Sequence, residues 1–149
     1  KLPWFGPAMS VWMFTTARYM EVWAHAQAIY DLVGTHRNFT DRIKHVANLG
    51  VKTFSWTFIN RQLEVPSRPP FVHLISPSGE LWTWNEYSPD NSVSGLAVDF
   101  CQVVTQVRNI ADTNLIVTGK VAKKWMSIAQ CFAGVAVDPP LAGSRLPSR

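Results

Sequence analysis

Two side chains in this sequence have the types and the spacing that a metal ion requires. Glu21 and His25 stand four residues apart in a stretch without proline or glycine, and on an α-helix such residues project from the same side. Carboxylate and imidazole are both zinc ligands, and one helix can supply two ligands to one ion. A catalytic zinc needs three protein ligands and an open position, so a further ligand must come from elsewhere. The spacing therefore predicts part of a site for a divalent metal, with zinc as the first choice.

The same pair has a simpler explanation, which the residues leave open. A Glu and a His one turn apart on an exposed helix can form a surface pair that stabilises the helix by about 0.2–0.5 kcal/mol. The pair is also expected to lie beside a helical face of apolar and mostly small side chains, made of Met13, Ala17, Met20, Ala24 and Ala28. Polar groups that face a helix interface are costly unless they are paired or bind a cation. Metal binding would remove that cost.

The pair is predicted to lie on the first of two helices. Ser10 stands where a helix N-cap is expected, a run without Pro or Gly follows from Val11 to Val33, and Gly34 is the expected stop. A second helical pattern runs from Thr40 to about Gln62. We expect these two helices to pack as an antiparallel or angled pair.

The chain changes character after a proline-rich loop at residues 64–70. Residues 71–75 and 81–84 are rich in β-branched and aromatic side chains, and a Ser-Pro-Ser-Gly turn joins them, which predicts a β-hairpin. Beyond the hairpin we expect a helix capped by Ser94 and a short strand at residues 113–118.

A last helix is predicted from about Val121 to Phe132, before a proline-rich tail. Together the elements predict an α+β fold, in which two helices of a partial bundle precede a small α/β domain with a short sheet and two helices. The predicted domains are residues 1–63 and 71–134, and residues 135–149 are predicted to be an extended or disordered tail.

Composition narrows the classes of function. The chain has 149 residues and a net charge of +4, and its scattered basic residues lack the dense patch that nucleic-acid binding needs. No apolar run approaches the roughly 20 residues that cross a bilayer, and no signal peptide is visible, so we expect a cytoplasmic protein without a membrane partner. Cys101 and Cys131 lie in apolar helical patterns and are expected to be buried free thiols. The many Trp residues could drive formation of a homodimer if some are exposed.

Several stretches together resemble a known family. Residues 4–10 and 21–34, which include Glu21 and His25, are similar to the metal-site helix of actinobacterial proteins of the mycothiol-dependent maleylpyruvate isomerase type. Such proteins have a DinB-like helix bundle followed by a small α/β domain. The resemblance extends through most of the chain, in the stretches Thr40–Ala47, Gly50–Thr53, Leu81–Trp84, Val93–Gly95, Asp99–Cys101 and Ala129–Gly134.

The resemblance implies that Glu21 and His25 are metal ligands, that a further His ligand comes from an earlier bundle helix, and that the chain begins after that helix. It also implies mycothiol as a possible thiol cofactor, whose sulfur the cation would activate as a thiolate for an isomerase or transferase reaction. Ala28 departs from the pattern, because an acidic residue is usual there, and losing such a neighbour can weaken metal binding tenfold or more. The site is therefore expected to be incomplete, and this chain alone is not expected to be active.

Two other functions stay open. The chain could be a non-catalytic module that binds a small molecule or a protein in an apolar groove. The C-terminal half is also similar to a domain named for wyosine base formation, which would imply a role in tRNA base modification, although the sparse basic residues argue against it. Other polar and aromatic residues have structural explanations: Asp31 is expected to face solvent or cap a neighbour, His45 and His73 to lie at the surface, and Trp82 and Trp84 to pack against the last two helices.

Overall fold

The computed structural model describes residues 10–145, and these residues form the predicted α+β fold. The helices are α1 (Val11–Val33), α2 (Lys44–Lys52), α3 (Phe54–Asn60), α4 (Ala97–Val104) and α5 (Lys120–Ile128). The strands are β1 (Phe71–Ile75), β2 (Leu81–Trp84), β3 (Ser92–Leu96) and β4 (Ile116–Thr118). None of these helices is both long and apolar enough to cross a bilayer. The more specific expectation of a DinB-like bundle stays a prediction.

Helix α1 begins and ends where the sequence predicts. The hydroxyl oxygen of Ser10 accepts a hydrogen bond from the amide of Met13 at 3.2 Å, which satisfies one free N–H group of the first turn. At the other end Gly34 has a φ of 65°, a left-handed conformation that glycine adopts at little cost, and its amide bonds to the carbonyl of Asp31. Both ends are therefore set by local chemistry.

The buried face of α1 differs from the predicted row of small residues. Its buried members are Thr16, Ala17, Met20, Trp23 and Gln27. Arg37, in the loop after the helix, fixes this orientation: its guanidinium lies 5.0 Å from the centre of the Trp23 ring and donates to the carbonyl of Trp23 at 2.8 Å. It also donates to Oε1 of Gln27 at 3.3 Å. Ala28, which was predicted to face the helix interface, is exposed as a result.

The predicted second helix is interrupted. Asp41–Ile43 form a single 3₁₀ turn, and α2 and α3 are separated by Thr53, whose ψ of 13° is not helical. The hydroxyl of Thr53 donates to the carbonyls of Leu49 at 2.8 Å and Gly50 at 3.0 Å. Such bonding by Ser and Thr to the preceding turn distorts helices, which accounts for the interruption.

The four strands form one mixed sheet in the order β2-β1-β3-β4. Strands β1 and β2 are the predicted antiparallel hairpin, with Leu74 opposite Trp82. Strand β3 pairs with β1 in parallel, with Val72 opposite Val93, and β4 pairs antiparallel with β3. Val72 and Val93 are fully buried, so the centre of the sheet forms part of the core.

Two helix limits in the second half were predicted wrongly. Ser94 does not cap a helix but lies in β3 opposite His73, and α4 begins only at Ala97. Pairing with β1 decides this, because the strand brings Val93 into the core. Helix α5 ends at Ile128, before the predicted limit near residue 132. The following residues bond to other elements instead; the amide of Cys131, for example, donates to the carbonyl of Val104 at 2.9 Å.

One hydrophobic cluster joins all five helices to strands β1, β2 and β3. Trp125 lies near its centre, 1% exposed, with its ring in edge contact with Phe54 of α3 at 5.2 Å and Phe100 of α4 at 5.8 Å. The cluster includes residues from both sides of the loop at 64–70. The predicted domain limits at that loop stay a prediction.

The two Trp side chains of β2 contact residues of α2, and their predicted packing against the last two helices stays a prediction. Nε1 of Trp84 donates to Oδ1 of Asn48 at 2.6 Å. The ammonium group of Lys44 lies 5.0 Å from the centre of the buried Trp82 ring. The hairpin is thereby attached to the helical half of the chain.

Residues 129–145 contain no helix or strand, but they bond to the body of the protein. The buried side-chain amide of Gln106 donates to the carbonyl of Val137 at 2.8 Å. The buried side chain of Gln130 accepts a hydrogen bond from the amide of Val137 at 2.9 Å and donates to the carbonyl of Val135 at 3.0 Å. This segment therefore satisfies two buried carboxamide groups of the core.

Candidate functional site

The predicted ligands Glu21 and His25 lie together on α1. Oε2 of Glu21 is 3.3 Å from Nε2 of His25, as expected for side chains one helical turn apart. The His25 side chain is 84% exposed and the Glu21 side chain is 38% exposed. Both donor atoms are therefore open to an ion from solvent, and the pair lies at the surface of the described chain.

The separation of the two donor atoms fits a tetrahedral zinc ion. Zinc binds histidine nitrogen and carboxylate oxygen at about 2.0–2.2 Å, which places two ligand atoms of a tetrahedron roughly 3.3–3.5 Å apart. The observed distance of 3.3 Å lies in this range. An ordinary hydrogen-bonded His–Glu pair has the same distance. The number of further ligands near the pair therefore decides between a metal site and a surface pair.

Within residues 10–145, no group of three or more His, Cys, Asp or Glu side chains is arranged to hold a metal ion. Glu21 and His25 are thus two donors without a third in the described chain. The further His ligand that the family resemblance implies stays a prediction. A structural or catalytic zinc would need donors from another segment or another molecule.

Two clefts flank the pair. The first, of about 280 Å³, lies between α1, the junction of α2 and α3, and Cys131–Ala133. Its wall is largely apolar, with Trp56 and Phe132 among its residues, and Glu21, Arg18 and Lys52 supply charges. The second cleft, of about 300 Å³, is lined by Glu21 and His25 together with residues 105–107 and the segment that follows α5. Glu21 therefore borders both clefts.

Cys131 lines the first cleft but is only 5% exposed. Burial raises the pKa of its thiol far above the ordinary value, and the nearby negative charge of Glu21 raises it further. Cys101 is also buried, and burial raises its pKa as well. Both are free thiols, as predicted. Neither has the low pKa of a nucleophilic or redox-active cysteine.

The burial of the Cys131 thiol and its raised pKa predict that it reacts slowly with thiol reagents in the native protein. In a Cys101→Ser variant, the remaining thiol should react with a disulfide reagent at pH 8 roughly a hundredfold more slowly in the native protein than in denaturant, because modification requires local opening and a thiolate. The reaction is followed by absorbance with and without urea. Equal rates in the two conditions would show that Cys131 is accessible and ionised, contrary to its burial.

The sequence predicted that Asp31 faces solvent or caps a neighbour; instead, Asp31 forms a largely buried ion pair with Arg108. Its Oδ1 accepts hydrogen bonds from Nη2 of Arg108 at 2.7 Å and from Nε2 of Gln27 at 3.0 Å. The side chains of Asp31 and Arg108 are 16% and 6% exposed. Burial by itself would raise the pKa of the Asp31 carboxyl, but the hydrogen bonds from Arg108 and Gln27 outweigh it and leave the pKa below its ordinary value.

Only part of this hydrogen-bond network of Gln27, Asp31 and Arg108 could be predicted from the sequence. Gln27 and Asp31 are one helical turn apart, so a shared partner for them could have been suspected from spacing. Arg108 lies 77 positions after Asp31, and no local pattern connects them. The pair secures the C-terminal end of α1 to the residues after α4, and so positions the helix that carries Glu21 and His25.

Two curated proteins that this chain resembles come from Mycobacterium tuberculosis. In each of two strains, a protein described as uncharacterized is 42% identical to the chain over 134 residues. The match covers 90% of this chain and 52% of each relative, so the chain spans about half the length of the curated relatives it matches. No protein-family model and no solved structure matches the chain. Nearly the whole chain thus has counterparts in longer actinobacterial proteins.

Proposed function

We propose that this chain is part of a cytoplasmic metalloprotein in which Glu21 and His25 supply two ligands to a divalent cation, with zinc as the preferred ion. The observation that carries the proposal is the 3.3 Å separation of two exposed donor atoms on one side of α1. The residues present fit such an ion because an imidazole and a carboxylate are borderline and hard ligands that zinc accepts together. The remaining ligands come from outside the described residues of one chain.

The proposed activity is a mycothiol-dependent isomerase or transferase reaction of the complete protein. When bound, the cation would lower the pKa of the thiol cofactor so that the thiolate forms at neutral pH. Glu21 supplies negative charge that balances the cation. The apolar wall of the first cleft can exclude water from a small substrate, and Arg18 and Lys52 can attract one that carries negative charge.

Ala28 limits the strength of the proposed site. It is exposed and lines the second cleft beside His25, so its methyl group contributes no carboxylate to the surroundings of the ion. A neighbouring carboxylate would orient the imidazole or add charge, and its absence weakens affinity. We therefore expect a modest zinc affinity for this chain, weaker than that of a site with a full set of ligands and neighbours.

Zinc binding to the protein tests the proposal directly. Calorimetric titration of the full chain should show saturable binding, and the variants H25A and E21Q should each weaken it by roughly tenfold or more, because each removes one of two protein donors. H36A is the matched control, since His36 is an exposed histidine of the loop after α1 and lines neither of the two clefts that Glu21 borders. Absence of saturable zinc binding, or equal binding by the double variant E21Q/H25A, would refute the proposal.

A non-catalytic binding module is the second candidate, and the apolar wall of the first cleft favours it. Such a module would bind its small molecule without metal. A ligand that binds equally well to the original chain and to E21Q/H25A, in the presence of a chelator, would support this alternative over the metalloprotein.

A further inference from the structure

A third cleft lies at the C-terminal end of α1, apart from Glu21 and His25. It has a volume of about 420 Å³ and shares no lining residue with the two clefts beside Glu21. We call it the Arg37 cleft; its walls are the end of α1, the loop of residues 34–39 that contains Arg37, and residues between 102 and 112. Clefts of roughly 300–1,000 Å³ bind small molecules. The residues that line this one are mainly polar, so it suits a polar ligand.

The guanidinium of Arg37 is held in a fixed place on the wall of this cleft. Its central carbon lies 5.0, 5.2 and 5.6 Å from the ring centres of Trp23, Tyr30 and Phe39. Nη1 donates to the carbonyl of Trp23 at 2.8 Å and to Oε1 of Gln27 at 3.3 Å. The rings and the two acceptors therefore fix the group without using its other two nitrogens.

The edge of the Arg37 guanidinium formed by Nε and Nη2 is available to a ligand. Both hydrogen bonds that this side chain makes to residues 10–145 come from Nη1, and neither of the other nitrogens is fully buried. Nε–H and one N–H of Nη2 point in the same direction, and a carboxylate accepts such a pair in two parallel hydrogen bonds. The available edge is thus the one that recognises the two oxygens of an acid.

Arg37 is also a partly buried positive charge without a counter-charge. The second arginine of the cleft, Arg108, pairs with Asp31 at 2.7 Å, whereas Arg37 forms no ion pair within residues 10–145. Burial lowers the pKa of the Arg37 guanidinium below its ordinary value. Partial burial of an unpaired charge is unfavourable, and an anion bound beside Arg37 would reduce that cost.

The other charges of the cleft favour a ligand with a single negative charge. Asp31 and Asp112 both line the cleft. Arg108 neutralises Asp31, and both carboxylate oxygens of Asp112 accept the amide of Gly143, at 2.9 and 3.0 Å. The negative charge of Asp112 still repels a multiply charged anion such as phosphate more strongly than it repels one carboxylate. A monocarboxylate therefore fits the cleft better than a phosphate.

Three further side chains of the cleft can bind the rest of such a ligand. They are the hydroxyl of Thr35, the imidazole of His36 and the carboxamide of Gln102. None of these three side chains has a hydrogen-bond partner in the part of the chain that the structure describes. Hydroxyl, imidazole and amide groups can donate to or accept from a ligand hydroxyl. The lining thus suits a hydroxylated acid.

We propose that the Arg37 cleft binds a small hydroxylated organic acid, whose carboxylate accepts two parallel hydrogen bonds from Nε and Nη2 of Arg37. The hydroxyl groups of the ligand bond to the polar side chains of the same cleft. This site is independent of the proposed metal site. It gives Arg37 a second role, because the contacts that hold α1 use Nη1 and the faces of the rings, whereas the acid uses the opposite edge.

Binding of lactate to the full chain tests the inference, with a chelator present so that no metal takes part. Lactate is a small hydroxy acid, and lactamide has nearly the same shape without the charge. In ¹H–¹⁵N NMR spectra, lactate should shift the Nε–H signal of Arg37 and the amide signals of residues 34–37 saturably, with a dissociation constant on the order of 1 mM. Lactamide, and phosphate at equal ionic strength, should each bind about tenfold more weakly or less.

Matched variants locate the binding. T35D should weaken lactate binding by about tenfold or more, because it adds a carboxylate to the cleft wall and leaves Arg37 unchanged. N38D is the control, since Asn38 is an exposed residue of the same loop that does not line the cleft, and it should bind lactate normally. R37K should also weaken binding by about tenfold or more, because an ammonium group does not offer two parallel donors. Circular dichroism verifies that each variant is folded.

Several results would overturn the inference. They are a lactate titration without a saturable shift at residues 34–37, equal binding of lactamide, and tighter binding of phosphate. If R37K does not fold, the comparison of T35D with N38D decides, and equal affinities in these two variants would contradict the proposed site. E21Q/H25A should bind lactate normally, and a loss of binding there would place the acid at the Glu21–His25 pair instead.

Discussion

Replacing Asp31 by Asn is expected to lower the free energy of unfolding by about 3 kcal/mol or more, because removing one partner of a buried ion pair leaves the other charge uncompensated. The charge left behind is that of Arg108, whose side chain is only 6% exposed. Urea denaturation at neutral pH measures the loss. The control is Glu86→Gln, since Glu86 pairs with Arg68 at a similar distance of 2.8 Å but both side chains are mainly exposed. That change should alter stability little, because exposed pairs contribute little.

The pH dependence of stability provides a second measurement of the same pair. The pKa of Asp31 is lower in the folded protein than its ordinary value of about 3.9, so its contribution is present above that pH and is lost as the pH falls through the folded pKa. The unfolding free energy of the original chain should therefore decrease more steeply in acid than that of Asp31→Asn. If Asp31→Asn costs no more than Glu86→Gln, the pair does not stabilise the fold.

Replacing Trp125 by Ala is expected to cost about 3–5 kcal/mol, the usual effect of removing a large buried aromatic side chain. Trp125 is 1% exposed and contacts Phe54 and Phe100, so the cavity would open where α3, α4 and α5 meet. Thermal unfolding followed by calorimetry measures the loss, and the variant should melt well below the original protein.

Trp125→Phe is the matched control. Nε1 of Trp125 has no hydrogen-bond partner among the described residues, so its removal should break no hydrogen bond. Phenylalanine keeps one ring for the edge contacts with Phe54 and Phe100, and the cost should stay below that of Trp125→Ala by about 2 kcal/mol. Equal losses in the two variants would mean that a single six-membered ring does not maintain the packing against Phe54 and Phe100.

The parts of the fold that were predicted correctly are those with local causes. Helix α1 has its cap at Ser10 and its stop at Gly34, and both act within a few residues of the helix end. The hairpin of β1 and β2 likewise depends on a short turn between two strands that are adjacent in the sequence. In these cases neighbouring residues contain the whole explanation, so a single sequence is enough.

The errors have causes that are distant in the sequence. Ser94 has the side chain of a helix cap, but its segment pairs with β1, about twenty residues earlier, and becomes a strand. Helix α5 stops at Ile128 because the residues that follow bond to α4 and to Thr57. Secondary-structure propensity predicts neither the strand at Ser94 nor the end of α5 at Ile128. Local preferences amount to a fraction of a kcal/mol to about 1 kcal/mol per residue, and tertiary contacts outweigh them.

In the candidate site, too, the features with a local cause were predicted and those with a distant cause were not. The proximity of Glu21 and His25 follows from helical spacing, and the structure places their donor atoms 3.3 Å apart. The orientation of α1 does not follow from spacing, because Arg37 and Arg108 hold Trp23 and Asp31 from other parts of the chain. For this reason the sequence indicated which residues could be ligands, but not that they would face outward.

The segment after α5 has a practical consequence for anyone who shortens this protein. Its proline-rich composition suggests a dispensable end, yet residues 135–137 hold the carboxamides of Gln106 and Gln130, which are 5% and 1% exposed. Truncation at residue 134 would remove the bonds of Gln106 to Val137 and of Gln130 to Val135 and Val137, and would leave each side-chain amide with one acceptor, the carbonyls of Ala129 and Phe132. Oε1 of Gln130 would lose its donor, and a buried polar atom without a partner is unfavourable. A trimmed version prepared for crystallisation should therefore end beyond this segment, or carry apolar replacements at both glutamines.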